Sequence, residues 1–185
     1  MPVLETLAAL AIALPLIALA GVADAQQATG SPDTEYIAKA TSAGPTEIAN
    51  DATRARMVNG GMQTLRKGTN EYTCMVTNAG PMCMGPIAME WAQAWHNHTP
   101  PPYALGFIYM LNGDAGMSNT DPLATKPAPG NHWVKTGPHV MMVGLAFKKM
   151  TGFLRRPDPD PTKPYVMWSG TPYEHVMLPL NQNSR

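Results

Sequence analysis

Two short stretches of the chain repeat one chemical pattern. Gly137-Pro138-His139-Val140-Met141 is answered by Tyr173-Glu174-His175-Val176-Met177. In a β-strand, residues two apart point to the same face, so each stretch offers an imidazole and a thioether on one side. If the two strands pair with matching faces, His139, Met141, His175 and Met177 converge. Imidazole with soft thioether sulfur suits copper, above all Cu(I), and these four residues form the candidate metal set. Met82, Met84, Met89, His96 and His98 are further candidates near the cysteines. The same residues also have a plain structural reading. Methionine fills gaps in cores, and a buried histidine is satisfied by a backbone or carboxylate partner. His96-Asn97-His98 suits a helix C-terminus, whose dipole favours cations.

A second group is rich in oxygen. The stretch from Gly113 to Pro122 carries Asp114, Ser118, Asn119 and Asp121 in a glycine-containing loop. These four are the candidate ligand-binding residues, able to hold Ca²⁺ or a polar ligand, although the spacing is not that of an EF-hand. Side chains of these types also cap their own loop backbone. The chain has no G-x-S-x-G elbow, no H-E-x-x-H and no phosphate-binding glycine loop. A small hydrolase with His139 or His175 as base and Asp114 or Asp121 as partner stays open, but no spacing singles out catalytic residues, and the chain leans away from an enzyme.

The compartment follows from the N-terminus and the cysteines. Leu7–Leu19 is apolar and uncharged, and Ala23-Asp24-Ala25 places small residues where a signal peptidase reads them. Residues 1–25 are therefore expected to be a signal peptide, with Gln26 as the mature N-terminus. Two features fit less well: Glu5 stands where a basic residue is expected, and the first basic residue is Lys39. Retention of the segment as a membrane anchor is the alternative. With the leader cleaved, no membrane span is expected, and the location is periplasmic or secreted. Cys74 and Cys83 are the two cysteines. In an exported chain they are expected to form a disulfide. Once Glu5 and Asp24 leave with the leader, thirteen basic and eleven acidic residues remain. So small and dispersed a charge leaves no nucleic-acid footprint.

The elements that must position these groups can be read along the chain. Ser31-Pro32-Asp33 opens a helix with a serine cap and a first-turn proline, and Tyr36, Ile37 and Ala40 form its apolar stripe. Gly44-Pro45 ends it, and residues 46–49 add a turn. Residues 52–58, 62–67 and 71–76 read as a three-stranded meander, with Asn59-Gly60-Gly61 as its first turn. Residues 77–85 read as a loop closed by the disulfide. A helix follows from Pro86 to His98, with Ile87, Trp91 and Trp95 on one face, until Pro100-Pro101-Pro102 stops it. Residues 103–111, 133–135, 139–147, 165–168 and 175–180 read as strands, residues 112–130 as a long loop, and residues 148–163 as a proline-rich connection. The sum is one α+β domain over residues 26–185, mainly antiparallel sheet, with six to eight strands and two or three short helices.

Several stretches carry a resemblance. They are Arg66–Cys74, Pro81-Met82-Cys83, Gly113-Asp114 with Ser118–Pro122, Thr136-Gly137-Pro138-His139, and Tyr165–Trp168 with Gly170–Tyr173. Together they resemble a family of exported bacterial proteins to which no activity is assigned. The resemblance implies export and a shared fold, and no site residues. The expected function is that of an exported binding protein for a small ligand or a protein partner. A periplasmic copper-binding protein, a small hydrolase and an anchored accessory subunit of a membrane complex are the alternatives.

Overall fold

A computed structural model describes residues 31–180. The expected leader at residues 1–25 and the arm after it lie outside the described residues. Helix α1 (Pro32–Thr41) starts where its cap chemistry predicts: Ser31 Oγ accepts from the Thr34 amide at 3.3 Å, Pro32 occupies the first turn, and Asp33 and Glu35 sit at the positive end of the dipole. Helix α2 (Thr46–Ala49) is a single turn. Strands β1 (Thr53–Val58) and β2 (Gly61–Arg66) form a hairpin around Asn59 and Gly60, both with positive φ.

The third strand departs from the expected meander. β3 (Thr73–Thr77) does not pair with β2. It lies on the other edge of β1 and runs parallel to it, Thr53 opposite Thr73 and Arg54 opposite Cys74. The connection explains the switch. After β2 the chain folds across the start of β1, where the Thr69 and Asn70 amides donate to the Asp51 carbonyl at 2.7 and 3.1 Å. Gly68 presses against the Ala52 and Thr53 backbone there, with no room for a Cβ. The chain thus reaches the free edge of β1 by a tight backbone crossing.

The expected disulfide loop is instead a second hairpin. β4 (Gly80–Met84) pairs antiparallel with β3, and Cys74 stands directly opposite Cys83. The disulfide is present, with Cα atoms 4.0 Å apart, and it joins neighbouring strands of the sheet. Helix α3 (Pro86–His96) follows. Then come β5 (Gly106–Met110), the short pair β6 (Met117–Ser118) and β7 (Trp133–Val134), β8 (His139–Val143), β9 (Tyr165–Met167) and β10 (His175–Pro179). β8 ends earlier than expected, because Gly144 at φ 91° turns the chain into a 3₁₀ segment over Leu145–Lys149.

The main sheet has eight strands in the order β2-β1-β3-β4-β5-β8-β10-β9. Every neighbour pair except β1/β3 is antiparallel, so the fold is α+β with a mainly antiparallel sheet. Its two faces bury different chemistry. One packs α1 against the disulfide, through Ala40 and Ala43 with Tyr36, Tyr72 and Tyr109 alongside, and farther along packs Phe147 against Met142, Val166 and Val176. The other carries Met75, Met84, Ile108, Met110, Met167 and Met177 under Ala88 and Trp91 of α3. Among the described residues no helix is long and apolar enough to cross a membrane.

Candidate functional site

The two His-x-Met strands are neighbours. β8 and β10 pair antiparallel with Met141 directly opposite Met177, so both pairs project from the same face. The two histidines, however, are not cross-strand partners. His139 stands opposite Pro179 on β10 and Met110 on β5, and His175 stands opposite Met167 on β9. The register therefore sets the two histidine backbone positions four residues apart along the strands, about 13 Å at 3.3 Å per residue. The methionine pair lies between them. The four residues therefore stand along the shared face as a row: His139, the Met141/Met177 pair, His175.

Both imidazoles are fully buried and held in one tautomer. The Nδ1 of His139 lies 2.7 Å from the Gly137 carbonyl, and that of His175 lies 3.0 Å from the Tyr173 carbonyl. A carbonyl only accepts, so in each ring Nδ1 carries the proton and donates it. Each Nε2 is left with a lone pair, and neither has a partner among the described residues. The Nε1–H of Trp91 is likewise buried and unpartnered. Burial holds His139 below the usual histidine range, against the pull of the Gly137 carbonyl and the Asp114 charge. Burial, with a smaller contribution from His139, brings His175 down to about 4. Both rings are neutral at physiological pH.

These groups border a cavity of about 710 Å³. All four tryptophans and half of the fourteen methionines line it, together with His139, His175 and Asp114. Trp91 from α3 stacks on Trp168, which follows β9, with centroids 5.9 Å apart, and Trp95 lies 5.2 Å from Trp168. His175 meets Trp91 and Trp168 edge-on at 5.1 and 4.8 Å. Trp168 adopts a left-handed backbone conformation, φ 58°. Two 2.8 Å bonds hold it there, from its amide to the Asn119 carbonyl and from its Nε1 to the Ser118 carbonyl. The loop after β5 is thereby fastened to the aromatic wall, and Trp95 Nε1 adds a 3.2 Å bond to the Pro122 carbonyl. Exposed Met57, Leu123, His96 and His98 also border the cavity.

The four oxygen-bearing candidates divide. Asp114 is buried at the cavity wall, where its Oδ1 accepts from the Gly116 and Thr136 amides at 2.8 and 3.0 Å. Burial pushes its carboxyl up, while those amides and His139 oppose the rise. Ser118 donates to the Asn131 carbonyl and accepts from the Asp121 amide at 2.8 Å. Asn119 donates to the Arg156 and Pro157 carbonyls at 2.7 and 2.9 Å. Asp121 caps the Leu123 amide at 2.8 Å. Ser118, Asn119 and Asp121 thus serve the loop itself. His139 spends Nδ1 on the Gly137 carbonyl and its Nε2 has no partner, so no carboxylate–imidazole hydrogen bond joins it to Asp114. Of the additional candidates, Met82, His96 and His98 border the cavity, whereas Met84 and Met89 pack in the core.

Sequence reasoning missed Trp91 Nε1, Trp168, Met110 and Met167 as members of this site. Met110 and Met167 carried a signal, each being a methionine at the end of an apolar strand. Trp168 carried none, because its place depends on an unusual backbone angle. Among the described residues no three histidine, cysteine or carboxylate side chains group as a metal site. Comparison with family models, with curated proteins and with solved structures returned no match.

Proposed function

We propose that the chain is an exported binding protein whose ligand site is the methionine- and tryptophan-lined cavity over β5, β8, β10 and β9. One observation carries this reading. Of the four buried side-chain polar atoms without partners among the described residues, three, Trp91 Nε1 and the Nε2 atoms of His139 and His175, belong to side chains that line this one cavity; the fourth, Asn119 Oδ1, lies outside it. Leaving a buried polar group unpaired costs about 1–3 kcal/mol. Three such groups at one place are what a site awaiting a partner would keep. A concave, mainly apolar cavity with few polar groups is also the usual form of a small-ligand site. Export is supported by the apolar leader with its Ala-Asp-Ala end and by the disulfide.

The test uses N-phenyl-1-naphthylamine, a neutral apolar fluorophore able to receive energy from tryptophan. Saturable binding at one probe per chain, with quenching of tryptophan emission, is the expected outcome. Ala92 lines the cavity from α3. Ala92→Phe fills that space and should abolish binding, while circular dichroism stays unchanged. Absence of saturable binding by the native protein, or equal binding by Ala92→Phe, overturns the reading.

A further inference from the structure

We propose that the ligand of this cavity is a monovalent copper ion, held by the thioethers of Met141 and Met177 and by Nε2 of His139. The inference rests on the binding-cavity reading and assigns its occupant. Met141 and Met177 are directly opposite one another on paired strands. The Cβ atoms of such a pair are about 5 Å apart, so two flexible thioethers reach one point above the sheet. His139 lies on the same strand and face as Met141, two residues away, about 7 Å along the strand. Its imidazole is within reach of the same point.

The donor chemistry selects the ion. Two soft thioethers select Cu(I), and a neutral imidazole is compatible with it. Calcium and magnesium require oxygen ligands, and zinc sites are built from cysteine, histidine and carboxylates. The tautomer is already the ligating one: the Gly137 carbonyl holds the proton on Nδ1, and the Nε2 lone pair is buried without a partner. Such an outer hydrogen bond is the usual orienting contact of a metal-binding histidine. The ion binds without displacing a proton. A buried cation also needs a countercharge. Asp114 supplies it: its charge acts on His139, and it is the one carboxylate among the described residues lining the cavity. His175 takes no part, because it is set four residues along the register and wedged edge-on between Trp91 and Trp168.

The experiment titrates the mature, disulfide-intact protein anaerobically with Cu(I) supplied as its bicinchoninate complex. One equivalent withdrawn per chain is expected. Met141→Leu and Met177→Leu preserve apolar volume and so keep the fold. Each should weaken Cu(I) binding at least tenfold, as should His139→Leu. Met62→Leu, on exposed β2, should change nothing. No withdrawal of Cu(I) by the native protein overturns the copper inference. Undiminished binding in both folded methionine variants also overturns it, by placing the ion elsewhere. N-phenyl-1-naphthylamine separates this failure from the broader one: if the probe binds and copper does not, only the metal assignment falls, and if neither binds, both readings fall.

Discussion

His175 is the residue whose burial most shapes the pH response of the protein. Its ring must remain neutral in the folded state down to about pH 4, whereas in the unfolded chain it takes a proton near pH 6.5. A base with a depressed folded pKa leaves the unfolded state holding more protons between those two values. Stability is therefore complete above pH 6.5, falls as the pH drops from 6.5 toward 4, and levels off below. At 1.36 kcal/mol per pH unit the loss is roughly 3 kcal/mol. His139, lowered by the same burial, acts in the same direction, and Asp114, raised by burial, acts against it at the acid end. Urea unfolding midpoints measured at pH 7.5 and 4.5 should differ accordingly. His175→Leu should remove most of the difference. An unchanged difference in that variant would show that His175 is not the group responsible.

At the scale of elements, the disulfide has a different task from the one its spacing suggests. Joining directly opposed residues of β3 and β4, it fixes the register of the hairpin, on which α1 packs through Ala40 and Ala43. In the chain-entropy account a loop of about ten residues contributes roughly 2–3 kcal/mol. Cys74→Ala/Cys83→Ala should lower unfolding stability by about that amount. The cavity over β5, β8, β10 and β9 lies largely on the opposite face, so binding of N-phenyl-1-naphthylamine to the folded double variant should persist. Equilibrium unfolding and probe titration check both parts.

The same elements show what local chemistry could and could not reveal. Ser31-Pro32-Asp33 specified the start of α1, and Asn59-Gly60 the first hairpin, because a cap and a turn depend on neighbouring residues alone. The echo of His139-Val140-Met141 in His175-Val176-Met177 correctly indicated two strands sharing a face. Their relative register was not legible: it is set by hydrogen bonding of β8 to β5 and of β10 to β9, partners distant in sequence. β4 was hidden because Gly80-Pro81 reads as a turn, although Pro81 sits buried in the strand opposite Val76. The position of β3 beside β1 depended on a backbone crossing at Gly68, which no periodicity encodes. The aromatic half of the site depended on Trp168 adopting a left-handed conformation, which only the docked loop makes tolerable.

Across the whole molecule, stability is unevenly distributed, and the cavity sits on the well-braced part. β1 joins the rest of the sheet through β3 at two residue pairs, Thr53 with Thr73 and Arg54 with Cys74. β2 lies at the edge of the sheet with mostly exposed residues, including Met62. β5 and β8, by contrast, pair over five consecutive residues beneath a buried methionine layer. Segments with few buried apolar contacts open at a free energy well below global unfolding. Amide hydrogens of the β1–β2 hairpin should therefore exchange by local opening, and those of β5, β8 and β10 only with global unfolding. A ligand that binds only the folded state adds RT ln(1 + [L]/Kd), about 2.7 kcal/mol at a hundredfold excess over Kd. With N-phenyl-1-naphthylamine at that excess, protection of the β5, β8 and β10 amides should rise by about a hundredfold, while the hairpin amides, which open without releasing the ligand, should not change. Uniform protection of hairpin and centre would mean that they unfold as one unit. Protection confined to the hairpin would place the bound probe at the β1–β2 edge beside Met57, away from the histidine and methionine rows of β8 and β10.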